Sequence, residues 1–293
     1  MSEAALPAAV PAAPVPAAPN RERWLALALA APALLILLFL FALPLAKLLA
    51  ASLSNAAGFT LDEYAKLLGT AYYLQVIWNS LRLALLTTII ALVIGYPAAF
   101  ALARARGAVR STLLACLFLP LAASVIVKAF AWTILLRSDG LVNETLLMLG
   151  IIDTPIRMIF TETALIVGSV NIFLPFMILP IYTVVAQLDP RLADAAATLG
   201  ASPAEAFLRV VVPLTLPGII AGVALVFSLS VSAYVVPTLL IGERYPTLST
   251  TIAKAYLLAR QPAFGAAAGV VLLAIAVAVV ALSTRLGRAG GGK

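Results

Sequence analysis

The sequence predicts an all-α membrane protein with six transmembrane helices, on the strength of its composition, its apolar runs and the placement of its charges. Hydrophobic residues make up 63% of the 293 residues and charged residues 11%, whereas soluble domains average about 45–50% and about 25%. So few polar side chains could not cover the surface of a water-soluble enzyme, and that class is excluded.

The residue types that are missing from the sequence exclude several kinds of catalytic and metal-binding site. The chain has no histidine and a single cysteine, Cys116. Without histidine there is no Ser-His or Cys-His dyad and no histidine-ligated metal, and one cysteine cannot build an internal disulfide framework. We therefore predict no catalytic residues and no metal ligands in this chain.

Uncharged runs long enough to cross about 30 Å of hydrocarbon place the spans. Pro213 and Pro217 stand near the start of the fifth run, which is too long for one span. A proline removes a helical hydrogen bond, so we assign the first residues of this run to the preceding segment. The predicted transmembrane helices are 24–46, 81–103, 111–136, 163–187, 216–241 and 262–284.

Arginine and lysine residues in the connections predict the orientation. The short link 104–110 carries three arginines and no acid, and cytoplasmic loops are enriched in such residues. Both termini are therefore expected in the cytoplasm, which agrees with an even number of spans. The Ala/Pro-rich residues 1–23 are predicted to be a disordered cytoplasmic tail, residues 47–75 an outer segment, and residues 288–293 a short tail.

The predicted inner loop between the fourth and fifth spans has the local chemistry of two short helices, placed within residues 189–212. Asp189 is a suitable N-cap and Pro190 suits the first helical position. Gly200 can end the first helix in a left-handed conformation. Ser202 and Glu205 then form a capping box for the second helix, which we expect to stop at Pro213.

This element has two possible interpretations. It could be an amphipathic turn that lies on the lipid headgroups, or a docking site for a cytoplasmic partner. Small residues such as Ala195, Ala196 and Gly200 would let another protein approach the backbone, and Leu199 and Phe207 would offer apolar anchors.

The stretch DAAATLGAS, residues 194–202, resembles the Glu-Ala-Ala signature of the membrane subunits of binding-protein-dependent ABC importers. Here Asp194 stands where the family has glutamate, so the carboxylate is kept with a shorter reach. Further segments, such as NSLRL at 79–83 and GLVN at 140–143, resemble the spermidine/putrescine-type branch. The similarity extends over 59–287, with 76–287 as the core permease domain.

The resemblance implies a type I ABC importer permease fold in the bacterial inner membrane. It implies that a small solute, with a polyamine such as spermidine or putrescine as the first candidate, passes from a periplasmic or lipid-anchored binding protein through this chain. The implied partners are a cytoplasmic ATPase dimer and a second permease subunit in a heterodimer. The family's coupling helix carries over to Asp194, Ala195, Ala196, Leu199, Gly200 and Phe207.

The chain is expected to bind no cofactor of its own, so ATP and magnesium belong to the partner ATPase. Glycines and a lysine in 287–293 match part of a phosphate-binding loop. The match follows a transmembrane helix rather than a strand, and no Ser or Thr follows the lysine.

Polar side chains inside the predicted spans are candidates for the substrate path. A charge in a span is costly, so Lys128 is expected either to line the cavity or to reach the outer headgroups. Asn171 and Tyr234 could contact substrate or could bond between helices, and Trp132 lies one turn beyond Lys128. We predict Lys128, Trp132, Asn171 and Tyr234 as path residues.

Three alternatives remain open at this point. The permease could carry another small solute, such as an amino-acid derivative, iron(III) or a phosphonate. An ion-coupled secondary transporter would be expected to carry inverted repeats and buried acids, but the uncharged runs contain no Asp or Glu. An intramembrane enzyme would have to rely on Ser124 and Lys128.

Overall fold

The computed structural model describes residues 20–55, 58–189 and 191–290. The predictions for residues 1–19, for Pro190 and for residues 291–293 lie outside these ranges. Asp194 lies on a described helix, but its side chain is not among those described.

Helices dominate the described residues. Their bounds are α1 Asn20–Ser52, α2 Asp62–Gly69, α3 Ala71–Arg104, α4 Gly107–Ala122, α5 Val125–Leu135, α6 Leu141–Met148, α7 Glu162–Val185, α8 Arg191–Thr198, α9 Pro203–Ala206, α10 Val212–Val231, α11 Val235–Leu240, α12 Leu248–Leu257 and α13 Pro262–Gly290. A π-helical segment, Phe207–Val211, joins α9 to α10, and a 3-10 turn covers Gly242–Arg244. Two short antiparallel strands, β1 Ser54–Asn55 and β2 Gly58–Phe59, are a small exception to the all-α prediction.

Five described helices are long and apolar enough to cross a membrane, and a sixth crossing results if the bent pair α4 and α5 counts as one span. This agrees with the predicted number. The chain divides into two units, 1–47 and 48–293. In the first unit, the α1 side chains from Leu29 to Leu43 are largely exposed, as a lipid-facing helix requires.

The prediction of one continuous helix over 111–136 is wrong. The chain bends by 101° between α4 and α5, because Ala123 and Ser124 adopt extended backbone angles. Pro120 lies in the last turn of α4 and weakens it. Ser124 then caps α5, with its Oγ accepting from the Ile126 N–H at 3.3 Å.

The prediction that the second short helix stops at Pro213, with a separate span at 216–241, is also wrong. The chain runs as one helical stretch from Pro203 to Val231. It breaks instead at residues 232–234, where the Ser232 hydroxyl donates back to the carbonyl of Ser228 at 2.8 Å. The second span is longer than predicted, since α3 begins at Ala71.

The core lies where α3, α7 and α10 pack on one another. Glycines permit this close approach. A Cβ built at Gly218 would lie 2.8 Å from the Pro180 carbonyl oxygen, and one at Gly222 would lie 2.8 Å from the Met177 sulfur. Small residues spaced by four are typical of tightly packed membrane helices. This three-helix core positions both candidate sites described next.

Candidate functional site: the lever and the substrate path

We call residues 191–206, which comprise α8, the turn after it and α9, the lever. Asp189 Oδ1 accepts from the Arg191 N–H at 2.9 Å, just before α8. Gly200 has a φ of +85°, the left-handed conformation in which glycine has no Cβ penalty. Ser202 Oγ accepts from the Glu205 N–H at 3.3 Å, and Glu205 Oε2 accepts from the Ser202 N–H at 3.1 Å. The predicted helix, turn and capping box are confirmed.

The lever presents a small and apolar surface. Leu199 is 89% exposed, Ala195 and Gly200 are exposed, and Ala196 is half-buried. A Cβ built at Gly200 would meet nothing within 4 Å. A backbone this open can be approached closely by another surface, which is the property predicted for a docking element.

Phe207 differs from Leu199 and Gly200 because its ring packs against its own chain. The ring centroid lies 6.1 Å from that of Tyr96 and 6.0 Å from that of Phe100, both on α3. Phe207 remains 39% exposed. It therefore stands between the lever and the core rather than at the tip of the lever.

Two cavities lie at the root of the lever. One, of about 320 Å³, is lined by residues that include Phe100, Val185 and Leu192. The other, of about 300 Å³, is lined by residues that include Ala197 and Phe207. Arg104 and Val211 line both cavities, so the π-helical segment has open space on two sides.

At the other end of the core, two of the predicted path residues meet. The Trp132 Nε1–H donates to Asn171 Oδ1 at 3.1 Å, which joins α5 to α7. A Cβ built at Gly168 would lie 2.5 Å from Leu240 and 3.9 Å from Trp132 Cγ, so α11 packs into the same junction. Trp132 also lines a cavity of about 540 Å³.

Lys128 and Tyr234 occupy separate places. Lys128 is half-buried on α5, one turn before Trp132 and therefore on the same face of that helix. Tyr234 is 42% exposed and lines a cavity of about 280 Å³ together with Glu243 and Lys254. The structure thus joins Trp132 to Asn171, with Lys128 nearby on α5, and places Tyr234 at a different cavity.

Sequence reasoning missed a polar junction on α3, α7 and the loop after α11. Arg82 Nη2 lies 3.2 Å from Glu162 Oε1, and the Tyr245 hydroxyl donates to the Asn79 carbonyl at 3.3 Å. Burial and the nearby Glu162 carboxylate raise the pKa of Tyr245 to about 12, against the opposing effect of Arg82. These residues are far apart in the sequence, and no local pattern could have joined them.

Exposed ion pairs mark the same end of the bundle. Lys254 donates to Glu243 Oε1 at 2.7 Å and holds the pKa of that carboxyl below its usual range. The hydrogen bonds from Arg137 lower the pKa of Asp139 in the same way. Among the described residues, no group of three or more His, Cys, Asp or Glu side chains could hold a metal ion.

The comparison with protein families decides the identity of this helix bundle. Residues 91–289 match the model of the binding-protein-dependent transport system inner membrane component. The chain belongs to this family. The resemblance in residues 194–202 is thereby confirmed at the family level, and this family member is a multi-pass protein of the bacterial inner membrane.

Relatives of this importer subunit share most of its length. The spermidine/putrescine transport system permease protein PotB of Escherichia coli K12 is 42% identical over 214 residues, which is 73% of this chain and 78% of that protein. PotB of Haemophilus influenzae is 37% identical over 230 residues, 78% and 80% of the two chains. The molybdenum transport system permease protein ModB of Azotobacter vinelandii is 34% identical over 174 residues, 59% and 75%.

Solved structures show the same fold. A bacterial ABC transporter involved in the import of the acidic polysaccharide alginate superposes with a TM-score of 0.76 and 18% identity, covering 92% of this chain and 96% of the other. A second structure of the alginate transporter, in complex with a periplasmic protein, gives a TM-score of 0.74, with 19% identity and coverage of 92% and 95%. The family match and the permease relatives, rather than these distant structures, show that this family member is the permease of an ABC importer that works with a solute-binding protein, a transport component rather than an enzyme.

Proposed function

We propose that this permease passes a polyamine of the spermidine/putrescine type from its binding protein across the inner membrane. The substrate class is supported by the PotB relatives, which are 37–42% identical over most of the chain. A second permease subunit completes the path as a heterodimer, and a separate cytoplasmic ATPase dimer binds ATP and magnesium and supplies the energy.

The lever is the observation that supports coupling to an ATPase, because it is exposed, capped at its helix ends and continuous with α10. An ATPase groove closing on Ala195, Ala196, Leu199 and Gly200 would move a stiff element. Leu199, at 89% exposure, supplies the apolar anchor for that groove. The predicted contact of Asp194 belongs to the same proposal.

The proposal requires the lever to face the cytoplasm. The ends of α3 and α4 support this orientation, since Arg104, Arg106 and Arg110 lie at the connection between them. Arginines in short connections favour the cytoplasmic side. The chain termini are then both cytoplasmic.

Trp132 and Asn171 suit a polyamine path. The face of an indole ring attracts an ammonium group by about 0.5–2 kcal/mol, and the amide oxygen of the exposed Asn171 can accept a hydrogen bond from an ammonium group. Tyr234, 42% exposed at its own cavity, could accept a second amine.

An oxyanion is the alternative substrate. It is favoured by Lys128, which puts a positive charge one turn from Trp132, and by the similarity to ModB. Uptake of radiolabelled spermidine and of molybdate by the same reconstituted importer distinguishes the two substrates.

Replacing Gly200 with valine tests the coupling role of the lever. A side chain at a φ of +85° is strained, at a cost of about 1–3 kcal/mol. The strained turn shifts toward other conformations, and a cost of about 1.4 kcal/mol lowers the fraction of molecules with an intact docking surface about tenfold. We therefore expect ATPase retention and solute-driven ATP hydrolysis to fall about tenfold. Copurification of the ATPase and substrate uptake in proteoliposomes measure the effect.

The matched control is Gly69→Val. Gly69 ends α2, and a Cβ there would also meet nothing within 4 Å, but its φ is not positive. We expect this variant to behave as wild type. Normal ATPase binding and normal uptake in a membrane-inserted Gly200→Val protein would contradict the proposed coupling role.

A further inference from the structure

The π-helical segment Phe207–Val211 lies where the lever continues into α10. Its wide turn is closed by the Val212 N–H, which donates to the Phe207 carbonyl. Pro213 follows within the first turn of α10, and because proline has no N–H, the Arg209 carbonyl loses its usual helical donor. The wider turn lets the helix continue through this interruption, and π-helical turns are frequent at functional positions.

Helix α3 contacts the first residue of this segment and the helix beyond it. At the first residue of the segment, the Phe207 ring packs on Tyr96 and Phe100, whose own ring centroids are 5.0 Å apart. After it, the Tyr96 hydroxyl and the fully buried Thr215 hydroxyl are hydrogen-bonded at 2.9 Å. Tyr96 therefore contacts both the start of the π-helical segment and the helix that follows it.

The surroundings leave this segment room to change its shape. Val211 borders both the cavity of about 320 Å³ and the cavity of about 300 Å³. A close-packed core would resist such a change. A helical junction with an unusual hydrogen-bond register, two adjacent cavities and an aromatic contact to a core helix has the features of a hinge.

We propose that Phe207 is a positioning residue of transport: it passes movement of the lever to α3 through Tyr96 and Phe100, while the π-helical segment is the hinge. In this arrangement Phe207 acts inside the permease rather than as an anchor for the ATPase. The inference rests on the proposed coupling function, since the lever must be moved by the ATPase.

The test uses the complete importer in proteoliposomes, with spermidine as the transported probe. We expect Phe207→Ala to retain the ATPase and its hydrolysis, while the spermidine moved per ATP falls about fivefold or more, within the usual range of coupling between two sites. Phe207→Tyr keeps the aromatic ring and should keep the wild-type ratio of spermidine transported to ATP hydrolysed. Phe118→Ala, which removes a half-exposed phenyl ring from α4, is the matched control and should also keep it.

A second readout needs no substrate. Spin labels at Leu85 on α3 and Leu225 on α10, both about half-exposed, should change distance when ATP and vanadate trap the wild-type complex. Phe207→Ala should abolish that change with the ATPase still bound. If Phe207→Ala does not fold, Tyr96→Phe removes only the hydroxyl that bonds to Thr215 and should reduce the same change.

The outcomes separate this inference from the proposed function. Loss of the ATPase from the Phe207→Ala complex would make Phe207 a docking anchor and overturn the inference, with the coupling role of the lever intact. A wild-type ratio and a wild-type distance change would also overturn it. A wild-type complex that never retains an ATPase would instead refute the proposed function.

Discussion

Asn171 is a polar and exposed residue on a helix whose next two residues, Ile172 and Phe173, are buried in the core. Its amide oxygen is held by the Trp132 indole at 3.1 Å. The hydrogen bond fixes the amide, and the bend before α5 places the indole beside α7. A substrate that reached this point would meet an aromatic face and a carbonyl oxygen together.

Replacing Trp132 with leucine tests the substrate path at this residue. We expect the spermidine concentration for half-maximal uptake to rise about twofold to thirtyfold, because an indole–ammonium contact is worth about 0.5–2 kcal/mol. ATPase retention should stay unchanged. The uptake curve of the reconstituted importer measures this shift.

Trp78→Leu is the control for this substitution, since Trp78 is a 57% exposed tryptophan on α3. If both variants shift the uptake curve equally, the loss of an indole is a general effect. If neither shifts it, Trp132 is not on the path.

At the scale of elements, α7 and α10 pack so closely that their backbones approach each other at the glycines of α10. Gly218 and Gly222 are one helical turn apart on α10 and face Pro180 and Met177. Without a hydrophobic driving force between helices in lipid, such close contacts supply much of the association free energy. We call these contacts of Gly218 and Gly222 the seam, and we expect any movement of α10 in the proposed mechanism to keep it intact.

Gly218→Val should destabilise the protein. Its Cβ would lie 2.8 Å from a backbone oxygen, which cannot rotate away as a side chain can. Overpacking costs about 1–3 kcal/mol, which corresponds to a melting temperature lower by roughly 2–10 °C for a chain of this size. Thermal unfolding in detergent measures the change.

Ala221→Val provides the comparison, because Ala221 is exposed on the same helix. It should melt within about a degree or two of wild type, as exposed substitutions usually do. Equal melting of the two valine variants would show that the seam is not close-packed.

The sequence could predict the lever and could not predict the break in the third span, and both outcomes have local causes. Ser202 and Glu205 form the capping box through hydrogen bonds between residues that are three apart in the sequence. The local sequence pattern is therefore enough to predict this structure. The bend at Ala123 and Ser124 lies within an apolar run. Hydropathy alone contains no information on backbone angles, so it could not predict this bend. The Trp132–Asn171 and Arg82–Glu162 pairs depend on how distant helices pack.

For the whole molecule, the order of the spans and the charges at their ends together predict which end faces the cell interior. The lever and the connection 104–110 share one end of the core, because Arg104 lines both cavities at the root of the lever. The Arg82–Glu162 pair is near the start of α7, toward the opposite end of that helix.

Cysteine labelling tests this orientation. With Cys116 replaced by serine, single cysteines are placed at Thr198 on the lever and at Asp153 after α6, two exposed positions. A membrane-impermeant maleimide applied to spheroplasts should label the cysteine at 153 and not the one at 198. Opening the membrane should make 198 reactive, and the reverse pattern would invert the proposed topology.

The continuous helical stretch from Pro203 to Val231, with its π-helical segment Phe207–Val211, sets the rotational phase between the lever and the core. One added or deleted residue in it would turn the lever by about 100° around the helix axis, since an α-helix has 3.6 residues per turn. The surface offered to a partner would then face another direction, although every residue of it was still present. Length variation among homologous permeases should therefore fall in loops such as 149–161 and be excluded from this stretch.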